Sequence, residues 1–221
     1  MADIQLEFVT TATCRPAIIR RTYQSFVDKL SGIDYKNSTL YLNVDPLPFG
    51  QDPAETVAMA KEFFGNVVVR MPETANFCVA LKWGFSQVTG SHFFYLQDDW
   101  IMIRKCTIQE LFKRLSKPII RGTKKKNIGV TLRAYRFIKD NRICLSPSLY
   151  LTKWAKETSA KLADTQNPER GMRDNTPKEY IDIHYPVNTK LIMVKDIGRK
   201  WLKQNKIKRN TNNPRQFITW K

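Results

Sequence analysis

Short apolar runs alternate with longer amphipathic stretches over the first hundred residues. Four apolar runs predict β-strands, at residues 6–10, 38–44, 66–70 and 92–97. Three stretches with apolar residues at helical spacing predict helices, at residues 17–30, 53–64 and 75–88. Strands that alternate with helices are typical of a parallel sheet covered by helices on both faces. The pattern therefore predicts a three-layer α/β domain with a mostly parallel central sheet.

The pattern is less regular after Trp100. Two amphipathic stretches predict helices, at residues 108–115 and 149–162. Residues 127–136 and 142–146 predict an antiparallel pair of short strands, and residues 187–194 predict a last strand. No internal repeat or long low-complexity linker separates these elements from the first ones. We expect a single domain made of two halves, residues 1–104 and 105–221.

Polar residues follow the predicted strands at ends that share one edge of a parallel sheet, which is where open α/β sheets bind ligands. These residues are Thr10, Thr11, Thr13 and Arg15 after the first strand, Asp45 after the second, and Asp98 and Asp99 after the fourth. The loop after the first strand leads into Pro16, which suits the first turn of a helix. The sequence has no GxGxxG motif and no Walker lysine, so neither a Rossmann dinucleotide site nor a P-loop is indicated.

Asp98 and Asp99 are the most informative pair in the chain. Two adjacent ionised carboxylates repel each other and resist desolvation, so they are most stable facing water, a cation or a cationic ligand. A hard divalent ion bound through oxygen atoms is one solution. In the alternative, one aspartate caps the following element while the other is solvated.

Charge is unevenly distributed along the chain. The formal net charge is +17, but residues 1–100 contain 8 Lys or Arg against 11 Asp or Glu, a balance of −3. Residues 101–221 contain 29 Lys or Arg against 9 Asp or Glu, a balance of +20. A basic excess this concentrated indicates a polyanionic partner such as nucleic acid or an anionic membrane surface. The alternative is an alkaline protein whose lysines are simply solvated.

Cysteine usage and the chain start indicate an intracellular protein. The four cysteines, at positions 14, 78, 106 and 144, form no CxxC pair, which favours reduced thiols over a disulfide framework or a zinc site. No apolar run is long enough to span a membrane, and residues 1–8 lack the features of a secretory signal. We expect a cytoplasmic location without a transmembrane segment, in the host cytoplasm if the protein is phage-encoded.

Three motifs in order carry a resemblance to a known family. The first strand is followed by Thr-Thr-Ala-Thr-Cys-Arg-Pro, the second ends in Asn-Val-Asp-Pro, and the fourth ends in Leu-Gln-Asp-Asp-Trp. Over roughly residues 4–104 the chain resembles nucleotide-sugar glycosyltransferases of the GT-A fold, close in style to the large family-two group. The resemblance implies an enzyme that uses a nucleotide-sugar donor, expected to be a UDP-sugar, together with Mn²⁺ or Mg²⁺. Residues 1–104 would bind the donor.

The resemblance also implies roles for single residues. Thr10, Thr11, Thr13 and Arg15 would contact the nucleotide, Asp45 would bind the base or ribose, and Asp98 and Asp99 would bind the diphosphate through the metal. Asp99 is the expected direct ligand. Gln97 departs from the family pattern, in which a further acidic residue is common, although an amide oxygen also coordinates hard cations.

The second half supplies the candidates for a catalytic base and a further metal ligand. An inverting enzyme needs a carboxylate that takes the proton of the acceptor hydroxyl. Glu169 is the preferred candidate and Asp164 the second; alternatively, Glu169 only favours a helix N-terminus and pairs with Arg173. His184 is a candidate metal ligand, with a packed or solvated histidine as the alternative.

Two further features are left open by the sequence. Asp196 and Arg199 are interpreted either as a structural ion pair or as a contact to the diphosphate. The charge of the second half indicates the acceptor, since ordinary sugar or lipid acceptors do not require +20 over residues 101–221. In size and charge the chain resembles small enzymes that glycosylate hydroxymethylated pyrimidines in phage DNA.

DNA would bind to a set of basic residues and, in part, to aromatic ones. The expected phosphate contacts are Lys124, Lys125, Lys126, Arg133, Arg136, Lys206, Lys208 and Arg209. Aromatic side chains would support a base that leaves the stack, unless they belong to the core: Tyr135, Trp154, Phe217 and Trp220. Two alternatives remain: a polysaccharide-building transferase at an anionic membrane, and a non-catalytic nucleic-acid-binding protein.

Overall fold

The computed structural model describes residues 3–47, 52–116, 126–132, 143, 145–185, 191–206, 209–210 and 219–220. The strands are β1 (Glu7–Thr13), β2 (Leu30–Ser31), β3 (Thr39–Asp45), β4 (Asn66–Arg70), β5 (His92–Tyr95), β6 (Trp100–Met102), β7 (Cys106–Thr107), β8 (Lys126–Thr131), β9 (Ser148–Leu151), β10 (Tyr180–His184), β11 (Val194–Asp196), β12 (Arg209–Asn210) and β13 (Thr219–Trp220). The helices are α1 (Pro16–Lys29), α2 (Pro53–Lys61), α3 (Phe77–Gln87), α4 (Ile108–Leu115), α5 (Thr152–Ser159), α6 (Pro168–Asn175) and α7 (Gly198–Gln204).

Seven strands form the central sheet in the order β10-β8-β9-β5-β1-β3-β4. Every neighbouring pair is parallel except the two that contain β9, which runs antiparallel to both β5 and β8. The predicted α/β fold with a mostly parallel sheet is thus confirmed. The smaller ribbon of β6 and β11 follows the end of β5 and returns the C-terminal part of the chain to the same region.

Helices cover both faces of the sheet and enclose two apolar layers. On one face, α1, α2 and α4 pack their buried aromatic and aliphatic residues against Phe8 and Phe94. On the other face, α3, α5 and α6 pack against Phe93 and Tyr95. Burying a side chain of this size contributes about 1.5–3 kcal/mol relative to leaving it exposed. The two layers therefore hold the sheet, and with it the carboxyl ends of its strands, in a fixed position.

Local signals start several helices where the sequence predicts them. Pro16 occupies the first turn of α1, and the Asn76 side chain accepts a hydrogen bond from Val79 N at the start of α3. Thr107 and Glu110 form a reciprocal capping box at α4.

The second half differs from the prediction in several places. Residues 148–151 form β9, so the helix predicted at residues 149–162 begins only at Thr152. The antiparallel partner of β8 is β9; in the predicted partner, residues 143, 145 and 146 are not in a strand, and residues 142 and 144 lie outside the described part of the chain. The sequence pattern does not predict β10. Of the last strand, predicted at residues 187–194, the structure describes residues 191–194, and the observed strand is β11 at Val194–Asp196. Local spacing fails here because Ser-Leu-Tyr-Leu, the sequence of a central strand buried on both faces, does not alternate.

Two bulk expectations concern thiols and membrane spans. Cys14, Cys78 and Cys106 are buried and free of disulfide bonds. Among the helices that the structure describes, none is long and apolar enough to cross a membrane.

Candidate active site

Candidate site residues converge at the carboxyl edge of the parallel strands. Thr13 at the end of β1 lies in register with Asp45 at the end of β3, and β5 ends three residues before Asp98. The chain then turns at Asp98 and Asp99 into β6. The fold therefore brings together residues that are more than eighty positions apart in the sequence.

Arg15 and Asp98 form a buried ion pair at the centre of this edge. Arg15 Nη2 lies 2.7 Å from Asp98 Oδ1 and 2.8 Å from Oδ2, and Nε lies 3.2 Å from Oδ2. Only 4% of each residue is exposed. Thr13 adds a backbone hydrogen bond of 3.1 Å to Asp98 Oδ2, and Thr22 Oγ1 donates to the Asp98 carbonyl at 2.6 Å. Both oxygens of the Asp98 carboxylate are thus engaged within the protein.

Asp99 is the more open of the two carboxylates. It receives a longer contact of 3.3 Å from Arg15 Nη2, and 24% of its side chain is exposed. Burial and the negative charge of Asp98 raise the pKa of Asp99 to about 7, against the opposing effect of Arg15. A further cation close to Asp99 would therefore stabilise the ionised form of its carboxylate.

A C-terminal segment closes the other side of the turn. Ile197 N donates to the Asp99 carbonyl at 2.8 Å, and β11 pairs with β6 directly after the turn. A Cβ placed on Gly198 would lie 2.0 Å from Asp99 Oδ2, so only glycine allows this approach. Trp201 in α7 faces Arg15, with 5.5 Å between the ring centroid and Cζ.

Asp45 belongs to a second polar group at the same edge. Asn43 Nδ2 donates to its carboxylate at 2.7 Å, and Arg70 Nη1 donates to Asn43 Oδ1. Asp45 is 7% exposed, and burial raises its pKa to about 6, although Asn43, Arg70 and the backbone of Asn76 oppose the shift. Asn43 and Arg70 were not predicted as site residues, because their roles depend on the pairing of β3 with β4.

Two of the predicted threonines do not reach the cluster. Thr10 lies within β1 with its side chain fully buried, and the structure does not bring it to the edge. Thr11 is also buried, and its hydroxyl shares a hydrogen bond of 2.8 Å with Tyr95 OH. Thr13 is the threonine of this loop that contacts the carboxylates.

The base candidates lie on the segment that leads into α6. Asp164 is exposed and pairs with Lys82, while Asn76 Nδ2 donates to its backbone carbonyl. Glu169 is half-buried in the first turn of α6, where Asn167 caps the helix. The alternative given for Glu169 is confirmed in its place at the helix N-terminus but not in its pairing with Arg173, since Arg170 pairs with Asp174 instead, at 3.4 Å, and no ion pair joins Glu169 to Arg173 among the described residues. Neither base assignment is tested by this geometry, and both stay predictions.

His184 and the Asp196–Arg199 pair flank the same edge. His184 ends β10 in register with Thr131, which places its backbone at the carboxyl edge; its side chain lies outside the described residues. Arg199 Nε lies 3.0 Å from Asp196 Oδ2, and Asp196 Oδ1 accepts from Gly198 N. The ion-pair interpretation of Asp196 and Arg199 thus holds in this structure.

The oxygen atoms available for metal coordination fit a divalent ion held by one protein carboxylate. Among the described residues, no three His, Cys, Asp or Glu side chains are grouped so as to hold a metal ion. Asp98 is occupied by Arg15 and Thr13, whereas Asp99 is part-exposed and has an oxygen free for coordination. Mg²⁺ and similar ions are often held by one or two carboxylates, with water and substrate phosphates as the other ligands. The residues present match that arrangement.

Solved structures share this architecture at low sequence identity. Staphylococcus aureus TarS 1-349 aligns with a TM-score of 0.57 and 11% identity over 91% of this chain and 63% of its own. The mannosyltransferase PcManGT from Pyrobaculum calidifontis, in complex with GDP-Man and Mn²⁺, aligns with a TM-score of 0.56 and 10% identity over 85% of this chain and 57% of its own. The fold is that of the GT-A glycosyltransferases. No protein-family model and no curated protein matches the sequence.

The similarity to these GT-A structures covers only part of their length. This chain spans less than two-thirds of the length of either protein. TarS 1-349 in complex with UDP aligns with a TM-score of 0.52 and 10% identity, over 81% of this chain and 58% of its own. At such identities the similarity shows the fold alone.

The predicted nucleic-acid contacts are only partly described. Lys126 is exposed at the start of β8, which is the sheet edge opposite Asp99, and lies 6.0 Å from the centroid of the Tyr180 ring. Lys206 is exposed just beyond α7. Trp154 is a core residue, 2% exposed, as the structural alternative predicted. Several predicted contacts lie outside the residues or side chains that the structure describes: Lys124, Lys125, Arg133, Tyr135, Arg136, Lys208, Arg209, Phe217 and Trp220.

Proposed function

We propose that this chain is a metal-dependent glycosyltransferase that moves a sugar from a nucleotide-sugar donor to a hydroxyl acceptor. One observation carries the proposal: Arg15, Asp98 and Asp99 form a compact charged cluster at the ligand-binding edge of a GT-A sheet. Structures with this fold contain UDP in one case, and GDP-Man with Mn²⁺ in another. A charged cluster at this edge is suited to a diphosphate.

Each residue at the edge has a defined part in the proposal. Asp45, buried beside Asn43, accepts hydrogen bonds from the nucleoside, and Arg15 fixes Asp98 behind the open carboxylate of Asp99. Asp99 would hold the divalent ion, and a bound ion would supply Lewis-acid stabilisation of the departing diphosphate. Glu169 is the proposed base for the acceptor hydroxyl, since Asp164 is already paired with Lys82.

The decisive test compares Asp99 with a carboxylate outside the site. Turnover of a panel of UDP- and GDP-sugars is followed by mass spectrometry with saturating Mn²⁺. Asp99→Ala is expected to lower turnover by about 100-fold or more, because the ion loses its protein ligand. Asp28→Ala, on the exposed surface of α1, serves as the control. Unchanged turnover in Asp99→Ala would refute the metal assignment.

The proposed acceptor is a hydroxymethylated pyrimidine in DNA. The support is the balance of +20 over residues 101–221, together with three exposed cations of α7 that follow Gly198, the residue against Asp99: Arg199, Lys200 and Lys203. An acceptor base would have to leave the helical stack to reach the cluster. Duplexes with and without hydroxymethylcytosine are incubated with the panel of UDP- and GDP-sugars, and their masses are measured by mass spectrometry. Sugar addition to the modified duplex alone is the expected result.

A second acceptor setting is favoured by a different surface. Ile103, Leu191 and Ile192 are 40%, 37% and 56% exposed, and Ile103 N donates to Met193 O, so that these residues adjoin. Exposed cations, Arg104 and Lys195, lie beside them. Apolar residues bordered by cations suit an anionic membrane surface, where a polysaccharide-building enzyme works. Binding to anionic vesicles, with no salt-sensitive binding to DNA, would favour this setting. If the protein neither binds nor hydrolyses nucleotide sugars but binds DNA in a salt-sensitive way, the alternative of a non-catalytic nucleic-acid-binding protein is favoured instead.

A further inference from the structure

Residues 194–204 form a clamp over the Asp98–Asp99 turn, hereafter the C-terminal clamp. Its strand, β11, pairs with β6 through Asp196 and Trp100, and Ile197 donates to the Asp99 carbonyl. The close approach of Gly198 to Asp99 then sets where α7 begins. The clamp is thus attached to the chain at Asp99 and at the strand that follows it.

Trp201 is the clamp residue that faces Arg15. The Arg15 side chain is 3% exposed, and its Nε and Nη2 groups are satisfied by Asp98 and Asp99. Its Nη1 group has no hydrogen-bond partner within the part of the chain that the structure describes. The Trp201 ring lies at cation–π distance, 5.5 Å from Cζ. A buried cation with one unsatisfied nitrogen is costly, and an aromatic face offsets part of that cost.

We propose that Trp201 is a positioning residue for donor binding, an inference that rests on the proposed glycosyl transfer. Its ring holds the Arg15 guanidinium against Asp98 and Asp99, which keeps both carboxylates in one orientation. Without the ring, Arg15 gains room and water, and the carboxylates gain rotational freedom that donor binding must remove. Trp201 therefore acts through Arg15 and does not itself contact the reacting atoms.

The main competing explanation is that Trp201 only packs. The residue is half-buried and borders the apolar layer on the α1 face of the sheet. A packing role depends on apolar volume, whereas the proposed role depends on an aromatic face toward a cation. Leucine and phenylalanine separate the two, because both are apolar and only phenylalanine has a ring.

The experiment measures binding of UDP and of GDP, each with Mn²⁺, by titration calorimetry. Trp201→Leu is expected to raise the Kd of whichever nucleotide the wild type binds by about tenfold, and Trp201→Phe to stay within about threefold of the wild type. Gln204→Ala, exposed on the same helix, is the matched control and is expected to leave the Kd unchanged. Thermal melts of the same samples verify that each variant is folded at the temperature of the titration.

The outcomes distinguish a failure of the proposed Trp201 role from a failure of the proposed glycosyl transfer. Equal Kd values for Trp201→Leu and Trp201→Phe would overturn the positioning role while leaving the transferase proposal intact. A wild type that binds neither nucleotide would overturn both. With an active donor, the variants are expected to differ in KM more than in kcat, since the ring orders the site for binding. A loss confined to kcat would contradict the inference.

Discussion

A single arginine gives the two adjacent aspartates different environments. Arg15 engages Asp98 on both oxygens and touches Asp99 with one nitrogen, so that one carboxylate is structural and the other stays available. Despite burial, the charges of Asp98 and Asp99 raise the pKa of Arg15 above its usual range. The cation is therefore permanent, and the protein holds the pair in place without an external ion.

Removing this internal cation is expected to destabilise the fold strongly. Arg15→Ala leaves the Asp98 charge buried and unpaired, which costs about 3–5 kcal/mol of unfolding free energy. Arg20→Ala is the control, because Arg20 and Glu62 form an exposed pair worth no more than about 1 kcal/mol. Urea unfolding of the two variants measures both values. Equal losses would show that the Arg15–Asp98 pair contributes no more than a surface pair.

The raised pKa of Asp99 makes stability depend on pH. Aspartate in the unfolded chain titrates near about 3.9, whereas Asp99 in the folded protein titrates at about 7. Between these values the folded state keeps a proton that the unfolded state has released, so the free energy of unfolding falls as pH rises. The side chain introduced by Asp99→Asn does not titrate. The free energy of unfolding of this variant minus that of the wild type should therefore rise from about pH 4 to about pH 7 and then level off. Urea unfolding in metal-free buffer measures the difference, and a constant difference across the window would contradict the assignment.

The elements of the first half follow from local sequence, and those of the second half depend on distant pairing. Pro16 and Asn76 mark helix starts within their own turns, and β1, β3, β4 and β5 each carry an apolar run. In contrast, β9 is a strand because β5 and β8 flank it, although its residues continue into a helical pattern. The resemblance locates Arg15 and Asp98 as site residues, but their ion pair spans 83 positions and no local pattern contains it.

Close packing between α3 and β1 is expected to be sensitive to one methyl group. A Cβ on Gly84 would lie 2.5 Å from Val9 Cγ1, and Val9 is fully buried and stiff about its side-chain torsion. Gly84→Ala should therefore lower the free energy of unfolding by about 1–3 kcal/mol, even though alanine is the better helix former. Ser86→Ala, exposed on the same helix, should be neutral or slightly stabilising. Thermal or urea unfolding of the two variants decides; a stabilised Gly84→Ala would refute the contact.

At the scale of the whole molecule, charge and the site are arranged differently than the sequence suggests. The basic excess belongs to residues 101–221, but Lys126 lies at the sheet edge opposite Asp99, whereas the cations of α7 lie beside it. Position along the chain therefore does not show which basic residues adjoin the site. That information comes from the direction of β8 and from the attachment of the C-terminal clamp.

A polyanion should stabilise the folded protein in a salt-dependent way. The net charge of +17 produces self-repulsion that a bound polyanion relieves, and ligands that bind the folded state raise its melting temperature. Duplex DNA is expected to raise the Tm at about 50 mM salt and to lose the effect at about 500 mM, where charges are screened over a few ångströms. Differential scanning fluorimetry measures both shifts, with neutral dextran as the control. An equal shift at both salt concentrations would exclude an electrostatic origin.

The antiparallel course of β9 decides where this protein can change during evolution. Leu132 N, just after β8, donates to Pro147 O, just before β9, at 2.9 Å, so the chain leaves the sheet and returns to it at adjacent points of the carboxyl edge. Lengthening a loop with adjacent ends costs little entropy, about 0.6 kcal/mol for each doubling. Insertions, deletions or a grafted segment are therefore expected to be tolerated there without disturbing β1, β3 or β5, which lead to Thr13, Asp45 and Asp98. Selection can therefore change the length and sequence of the chain between β8 and β9 independently of the residues at the carboxyl ends of β1, β3 and β5.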